Sequence, residues 1–182
     1  MKLIFWGLIL VFFDFHLNIG ACSISLLPAF VGYILIGKGM KSVDCGAYVT
    51  ARPWVTAGII YSTIVWVLNC LGVMTQLTTM ALFAVLFAVG GTVISLGVLH
   101  RITGGICEIE QVHGWDLQGR ALKTAWTVTA VWVALMHLTS LLGMAALAVI
   151  ALIAAYAFEV YYLFRFHKSR RAYEDHEACR ED

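Results

Sequence analysis

The chain has 182 residues, 61% hydrophobic and only 13% charged, and its twelve Lys and Arg nearly cancel eleven Asp and Glu to leave a net charge of +1. A soluble domain carries about twice that charged fraction. The near-zero balance excludes a nucleic-acid binder and an acidic tail protein.

A helix needs about 20 mostly apolar residues to cross ~30 Å of hydrocarbon. Six runs of that kind follow one another, over residues 3–19, 21–37, 54–73, 79–99, 121–139 and 141–164. They predict an all-α fold, a polytopic transmembrane helical bundle over residues 1–164, with a cytoplasmic tail at 165–182. The connections alternate in character. Those near Ile19-Gly20, at Met74 to Thr78 and at Ser140 are short and uncharged, so the spans pair into three tight hairpins. Those over 38–53 and 100–120 are long and polar. On this topology all twelve Lys and Arg fall on one membrane face, and the positive-inside rule then places both termini in the cytoplasm of a multi-pass plasma-membrane protein. The first span has a second reading. Lys2, the apolar run to Phe13 and Ile19-Gly20-Ala21-Cys22 look like a lipoprotein signal, but Asp14, His16 and Asn18 interrupt the apolar run before the cysteine.

The polar residues inside the spans are few. Asp14 and Asn18 share a face if the first helix is continuous, and a carboxyl at that depth is costly unless neutralised, paired or wetted. It is either an outward-facing proton or ligand site or a hydrogen-bonding lock against Ser23 and Ser25. Asn69 lines up with Gly58, Ser62 and Val65, and His137 with Thr127, Ala130 and Ala134. Faces of small residues let membrane helices approach closely, which turns Asn69 and His137 into the bundle and brings Asp14, Asn69 and His137 together near the outer leaflet. An Asp and a His so placed exchange a proton or act as polar glue. Glu159 follows Ala148, Ala151 and Ala155 on one face of the last helix, and either pairs with Arg101 or Lys123 or serves a coupling ion. The stripe Ala81, Ala84, Ala88, Gly91 or Thr92 and Ser95 predicts tight packing or dimerisation.

The segment 100–120 contains Glu108, Glu110, His113 and Asp116 around a Gly104-Gly105 break. One Glu110-x-x-His113 falls short of a di-iron set, which uses the pattern twice with two further acids. Ile106, Ile109, Val112 and Trp115 instead suggest a short amphipathic helix on the inner leaflet. The five cysteines show no zinc spacing. Cys45, Cys107 and Cys179 are expected to be cytoplasmic and reduced, while Cys22 and Cys70 are near enough to the outer face to pair. Phosphate loops, GxSxG, HExxH and nucleotide fingerprints are missing, so no catalytic residue, metal or cofactor is assigned.

The stretch Asp14-Phe-His-Leu-Asn18 with Leu26-Leu27-Pro28-Ala29-Phe30-Val31-Gly32-Tyr33-Ile34-Leu35-Ile36-Gly37 resembles the first hairpin of a group of uncharacterised small integral membrane proteins of Firmicutes. The resemblance covers about 40 residues, and Ala29 stands where that group carries an acid. It implies a multi-span bacterial membrane protein and no particular activity.

Three functions follow in order of preference. The first is a small transporter, channel or transport accessory acting through Asp14, Asn69, His137 and Glu159. The second is a non-catalytic sensor or assembly factor that meets a cytoplasmic protein through residues 100–120 and the tail. The third is a membrane-embedded enzyme. The expected partners are the lipid bilayer and further copies of the chain, since six short helices enclose little volume.

Overall fold

The computed structural model describes residues 1–13, 16–19, 22–25, 28–43, 45–74 and 81–181, with side chains omitted at 16–19, 22–25, 81–82 and 180–181. Six helices account for most of it: α1 (Lys2–Phe12), α2 (Ala29–Lys41), α3 (Gly46–Cys70), α4 (Ala81–His113), α5 (Gly119–Leu141) and α6 (Ala145–Glu181). Between α1 and α2 lies a short antiparallel hairpin, β1 (His16–Ile19) and β2 (Cys22–Ser25), with Ile19 opposite Cys22. Each helix packs on the next, and α1 packs back on α6, so the six close into a ring.

Four helices, α3 to α6, are long and apolar enough to cross a membrane. Their outward residues are apolar, among them Ile60 at 56% exposure, Leu86 at 59%, Val131 at 61% and Ile153 at 65%. Such a surface is stable in lipid and not in water.

The first two expected spans are corrected. α1 has 11 residues and α2 has 13, which at 1.5 Å per residue reach only about 17 and 20 Å. Pro28 supplies the reason for the second. It stands at the N-cap of α2, where its missing N–H costs nothing, whereas inside a helix over 21–37 it would cost about 3 kcal/mol. Residues 16–19 are extended, so Asn18 lies on a strand and not on the first helix; Asp14 lies outside the described residues.

The long polar connections are corrected too. Residues 100–113 continue α4 without a break at Gly104-Gly105, and the expected surface helix does not form. Ile106 and Ile109 are buried in the shared core, whereas Val112 is 71% exposed. α3 likewise begins at Gly46, eight residues before Trp54. Charge lifts a helix out of the bilayer but does not end it. What ends α4 is Gly114 at φ +69°, a left-handed position that glycine occupies without strain. α6 runs on through the expected tail, with Phe166, Ser169 and Tyr173 buried.

Two glutamates of α4 hold this polar end together. Glu108 accepts the N–H groups of Gly46 at 3.0 Å and Ala47 at 2.7 Å; Glu110 accepts that of Gly119 at 2.8 Å. Each carboxylate thereby satisfies orphan donors at the start of α3 or α5 and opposes the positive end of its dipole. Glu110 is therefore a cap, and His113 packs at a 34° tilt against Trp115, ring centroids 4.6 Å apart, while His176 stacks on the same indole at 5.0 Å. Arg101 donates to Thr50 Oγ1 at 3.4 Å and Arg165 to Gln118 Oε1 at 3.2 Å, so the basic residues gather at one end.

Aromatic rings over glycines set the spacing of the ring's walls. Trp54 lies on Gly97 and Tyr48 on Gly105 between α3 and α4, and Tyr33 lies on Gly58 between α2 and α3. Gly7 and Gly32 bring the α1 and α2 backbones so close that a Cβ on Gly7 would stand 2.6 Å from the Gly32 carbonyl oxygen.

Candidate functional site

The chamber of interest lies inside the ring, bounded by α1, α4, α5 and α6. It has a volume of about 300 Å³, room for about ten water molecules. Small residues line it, Gly91 and Ser95 on α4 and Ala155 on α6, and the Cβ position of Gly91 is taken up by the Tyr61 ring of α3. Val11 and Phe12 of α1 and Val133 and Met136 of α5 supply apolar walls. Its polar lining is Thr92, Ser95, Tyr156 and Glu159.

Glu159 is placed there by the helical period, because Ala155 and Ala151, one and two turns earlier on α6, are buried at 4% and 1% exposure against the neighbouring helices. It forms no ion pair with Arg101 or Lys123, and no hydrogen bond to it occurs among the described residues. Arg101 reaches Thr50 instead. Glu159 is thus a carboxyl group at membrane depth without a cationic partner on the described protein.

His137 joins the chamber through one intermediate. Its Nε2 lies 2.9 Å from Thr92 Oγ1, and Thr92 Oγ1 donates to the Ala88 carbonyl at 2.9 Å. A hydroxyl has one proton; with that proton on Ala88, the His137 Nε2–H is the donor to Thr92, and in the neutral ring Nδ1 remains an acceptor. The face expected to carry His137 is displaced. The buried stripe of α5 is Leu122, Ala125, Thr129 and Val133, while Thr127 and Ala134 are exposed. His137 stands at the edge of that stripe, half-buried.

Asn69 is elsewhere. It sits half-buried in the last turn of α3, beyond the buried Gly58 and Ser62, and does not line the chamber. Asp14 lies outside the described residues, as does the side chain of Cys22, so the Cys22–Cys70 pairing falls there as well. The wall nearest Asp14 in the chain, Val11-Phe12, does border the chamber.

Residues that sequence reasoning passed over complete the site. Tyr156 stands three positions before Glu159, a spacing that puts both on one face. Tyr162 Oη lies 3.0 Å from Thr103 Oγ1 and donates to the Leu99 carbonyl at 3.4 Å, tying α6 to α4 one turn below Glu159. At the basic end, burial raises the Cys45 thiol above its ordinary range, and Cys45 Sγ donates to the Gly105 carbonyl at 3.7 Å.

Comparison with protein-family models, with curated proteins and with solved structures finds no match to this chain, so the functional reading rests on the geometry of the chamber.

Proposed function

We propose that this chain is a small multi-pass membrane transport protein, or the membrane subunit of one, in which Glu159 binds a proton or small cation in the chamber. The observation that carries the reading is a carboxyl without an ion-pair partner among the described residues, lining a cavity of about 300 Å³ between membrane helices, with Thr92, Ser95 and Tyr156 beside it. A carboxylate there without a protein cation draws its counter-charge from the aqueous phase. The His137–Thr92 bond adds a second exchangeable group one residue removed from the chamber. The remaining parts of the proposal are both termini on the cytoplasmic side of a bacterial plasma membrane, argued from the gathering of Lys and Arg at one end.

Transport is preferred over a sensor or scaffold for one reason. A partner surface on residues 100–120 would present an apolar face, and there Ile102, Ile106, Ile109 and Leu117 are spent on the protein's own core, which leaves Val112 as the large aliphatic side chain exposed on that segment.

The test is proton flux in dye-loaded proteoliposomes under an imposed pH gradient, with Na⁺ or K⁺ inside. Wild-type protein is expected to dissipate the gradient faster than empty liposomes, and Glu159→Gln to abolish the difference. Equal traces for wild type, variant and empty liposomes in both salts overturn the reading.

A further inference from the structure

A second cavity lies on the opposite flank of the ring, between α2 and α3 at the basic end, with a volume of about 690 Å³. Three cations line it: Lys38 and Lys41 from the last turn of α2, three positions apart and so on one face, and Arg52 from α3. All three are exposed, and none forms an ion pair among the described residues. No acid is among the described lining residues; Asp44, next in chain to Val43 and Cys45, lies outside the described residues.

The floor has a different chemistry. Ile34, Val55 and Ile59 line it further along the two helices. Ile59 is seven residues beyond Arg52 on α3, about 10 Å deeper toward the hydrocarbon. Ile34, at 37% exposure, continues the groove into the apolar outer surface, where Ile60 is 56% exposed. The groove therefore has a cationic mouth at the level where the helices leave the bilayer and an apolar floor open to the lipid. An occupant that satisfies both is an amphiphile with an anionic head and a hydrocarbon tail.

We infer that the α2–α3 groove is a binding site for an anionic phospholipid, its phosphate held by Lys38, Lys41 and Arg52 and an acyl chain laid along Ile34, Val55 and Ile59. Soluble phosphates share the head's chemistry but leave the apolar floor unused. An acidic protein segment would match the mouth and meet lipid at the floor. The volume is in the range of ordinary ligand sites, and clustered cations between membrane helices are the usual recognition element for anionic headgroups.

Native mass spectrometry of the full-length protein in mild detergent tests this, with phosphatidylglycerol, phosphatidylcholine and water-soluble glycerol phosphate as probes. Wild-type protein is expected to retain phosphatidylglycerol at least about tenfold more strongly than phosphatidylcholine. The triple variant Lys38→Gln, Lys41→Gln, Arg52→Gln should lose that preference. A control removing three charges elsewhere on the basic end, Arg120→Gln, Lys168→Gln, Arg171→Gln, should keep it. Thr56→Trp, which fills the groove and leaves its charges intact, should also displace the lipid while retaining a wild-type elution profile and helical spectrum. Equal retention by wild type and the groove triple, an equal loss in the control, or unchanged binding to Thr56→Trp overturns the inference. Competition by glycerol phosphate as effective as by whole lipid overturns it in favour of a soluble phosphate ligand.

Discussion

His137 Nε2 stands 2.9 Å from Thr92 Oγ1, and Thr92 is also part of the chamber wall that holds Glu159. The bond ties α4 to α5 across 45 positions of sequence, one turn from the Trp126 Nε1–H bond to the Leu96 carbonyl at 3.0 Å. Thr92→Val removes the acceptor, and His137→Phe removes the donor. Each is expected to cost about 0.5–1.5 kcal/mol, which lowers the melting temperature by about 1–6 °C in a chain of this size. The double variant should lose little more than either single one. Additive losses in a detergent melting series would show that the two side chains do not act as a pair.

Glu159→Gln separates stability from function. The carboxyl has no cationic partner among the described residues, so a neutral isostere relieves the cost of placing a charge at membrane depth. The variant is expected to melt about 2–4 °C higher than wild type while losing gradient-coupled flux. A lower melting temperature would mean that Glu159 holds the bundle together through a bond to a residue outside those described.

Adjacent glycines of α4 should respond oppositely to alanine. A Cβ on Gly104 meets nothing within 4 Å, whereas one on Gly105 runs into the Tyr48 ring. Gly104→Ala is expected to stabilise by about 0.5–1 kcal/mol through helix propensity. Gly105→Ala should destabilise by about 1–3 kcal/mol, because the Tyr48 ring or the α3 backbone must move. Shifts of the same sign in thermal unfolding would contradict the ring-on-glycine packing.

Two buried tyrosines make a second contrast. The Tyr48 hydroxyl has no hydrogen-bond partner in the described structure, and the Tyr162 hydroxyl has Thr103 and the Leu99 carbonyl. Tyr48→Phe should therefore be neutral or stabilising, and Tyr162→Phe should cost about 1 kcal/mol. The comparison is made by urea or heat denaturation in the same detergent.

Cysteine chemistry reports on the basic end. Cys45 is 7% exposed, and burial raises its thiol pKa, so it holds less thiolate than an ordinary thiol at neutral pH. Cys179 is exposed. At pH 7.5 maleimide should modify Cys179 at least about tenfold faster than Cys45. The Cys45 rate should still be climbing above about pH 8.5, the ordinary thiol range. Peptide mass spectrometry reads both sites in one sample, and equal rates would place Cys45 at the surface.

Hydropathy located the four long helices because an apolar run of 20 residues has few other uses. The helical period found Glu159 for a similar reason: Ala151 and Ala155 mark an inward face that needs no knowledge of the neighbours. Helix ends were harder. The charged stretches at 38–53 and 100–120 look like loops, yet most of each is helix, because capping by Glu108 and Glu110 depends on three helices meeting. Pro28 was a readable warning against an unbroken second span, since its ring sits best at a helix start, although α3 does carry Pro53 within its first turns. The rotation of α5 was not readable. Thr127-Ala130-Ala134 and Ala125-Thr129-Val133 are equally small stripes, and which one is buried is decided by the packing of α4 and α6 on either side. For the same reason Thr92 looked like packing material when its hydroxyl is His137's partner.

The contact of α1 with α6 has a consequence for how the molecule is made. The chamber takes its walls from the first helix and the last three. During synthesis the ribosome releases α1 long before α6 exists, so α1 must wait beside α2, held at Gly7 and Gly32, until the final helix arrives to close the circle. A chain cut short before Ala145 lacks Glu159 and the α6 wall of the chamber. The chamber is therefore the last feature of the fold to be completed.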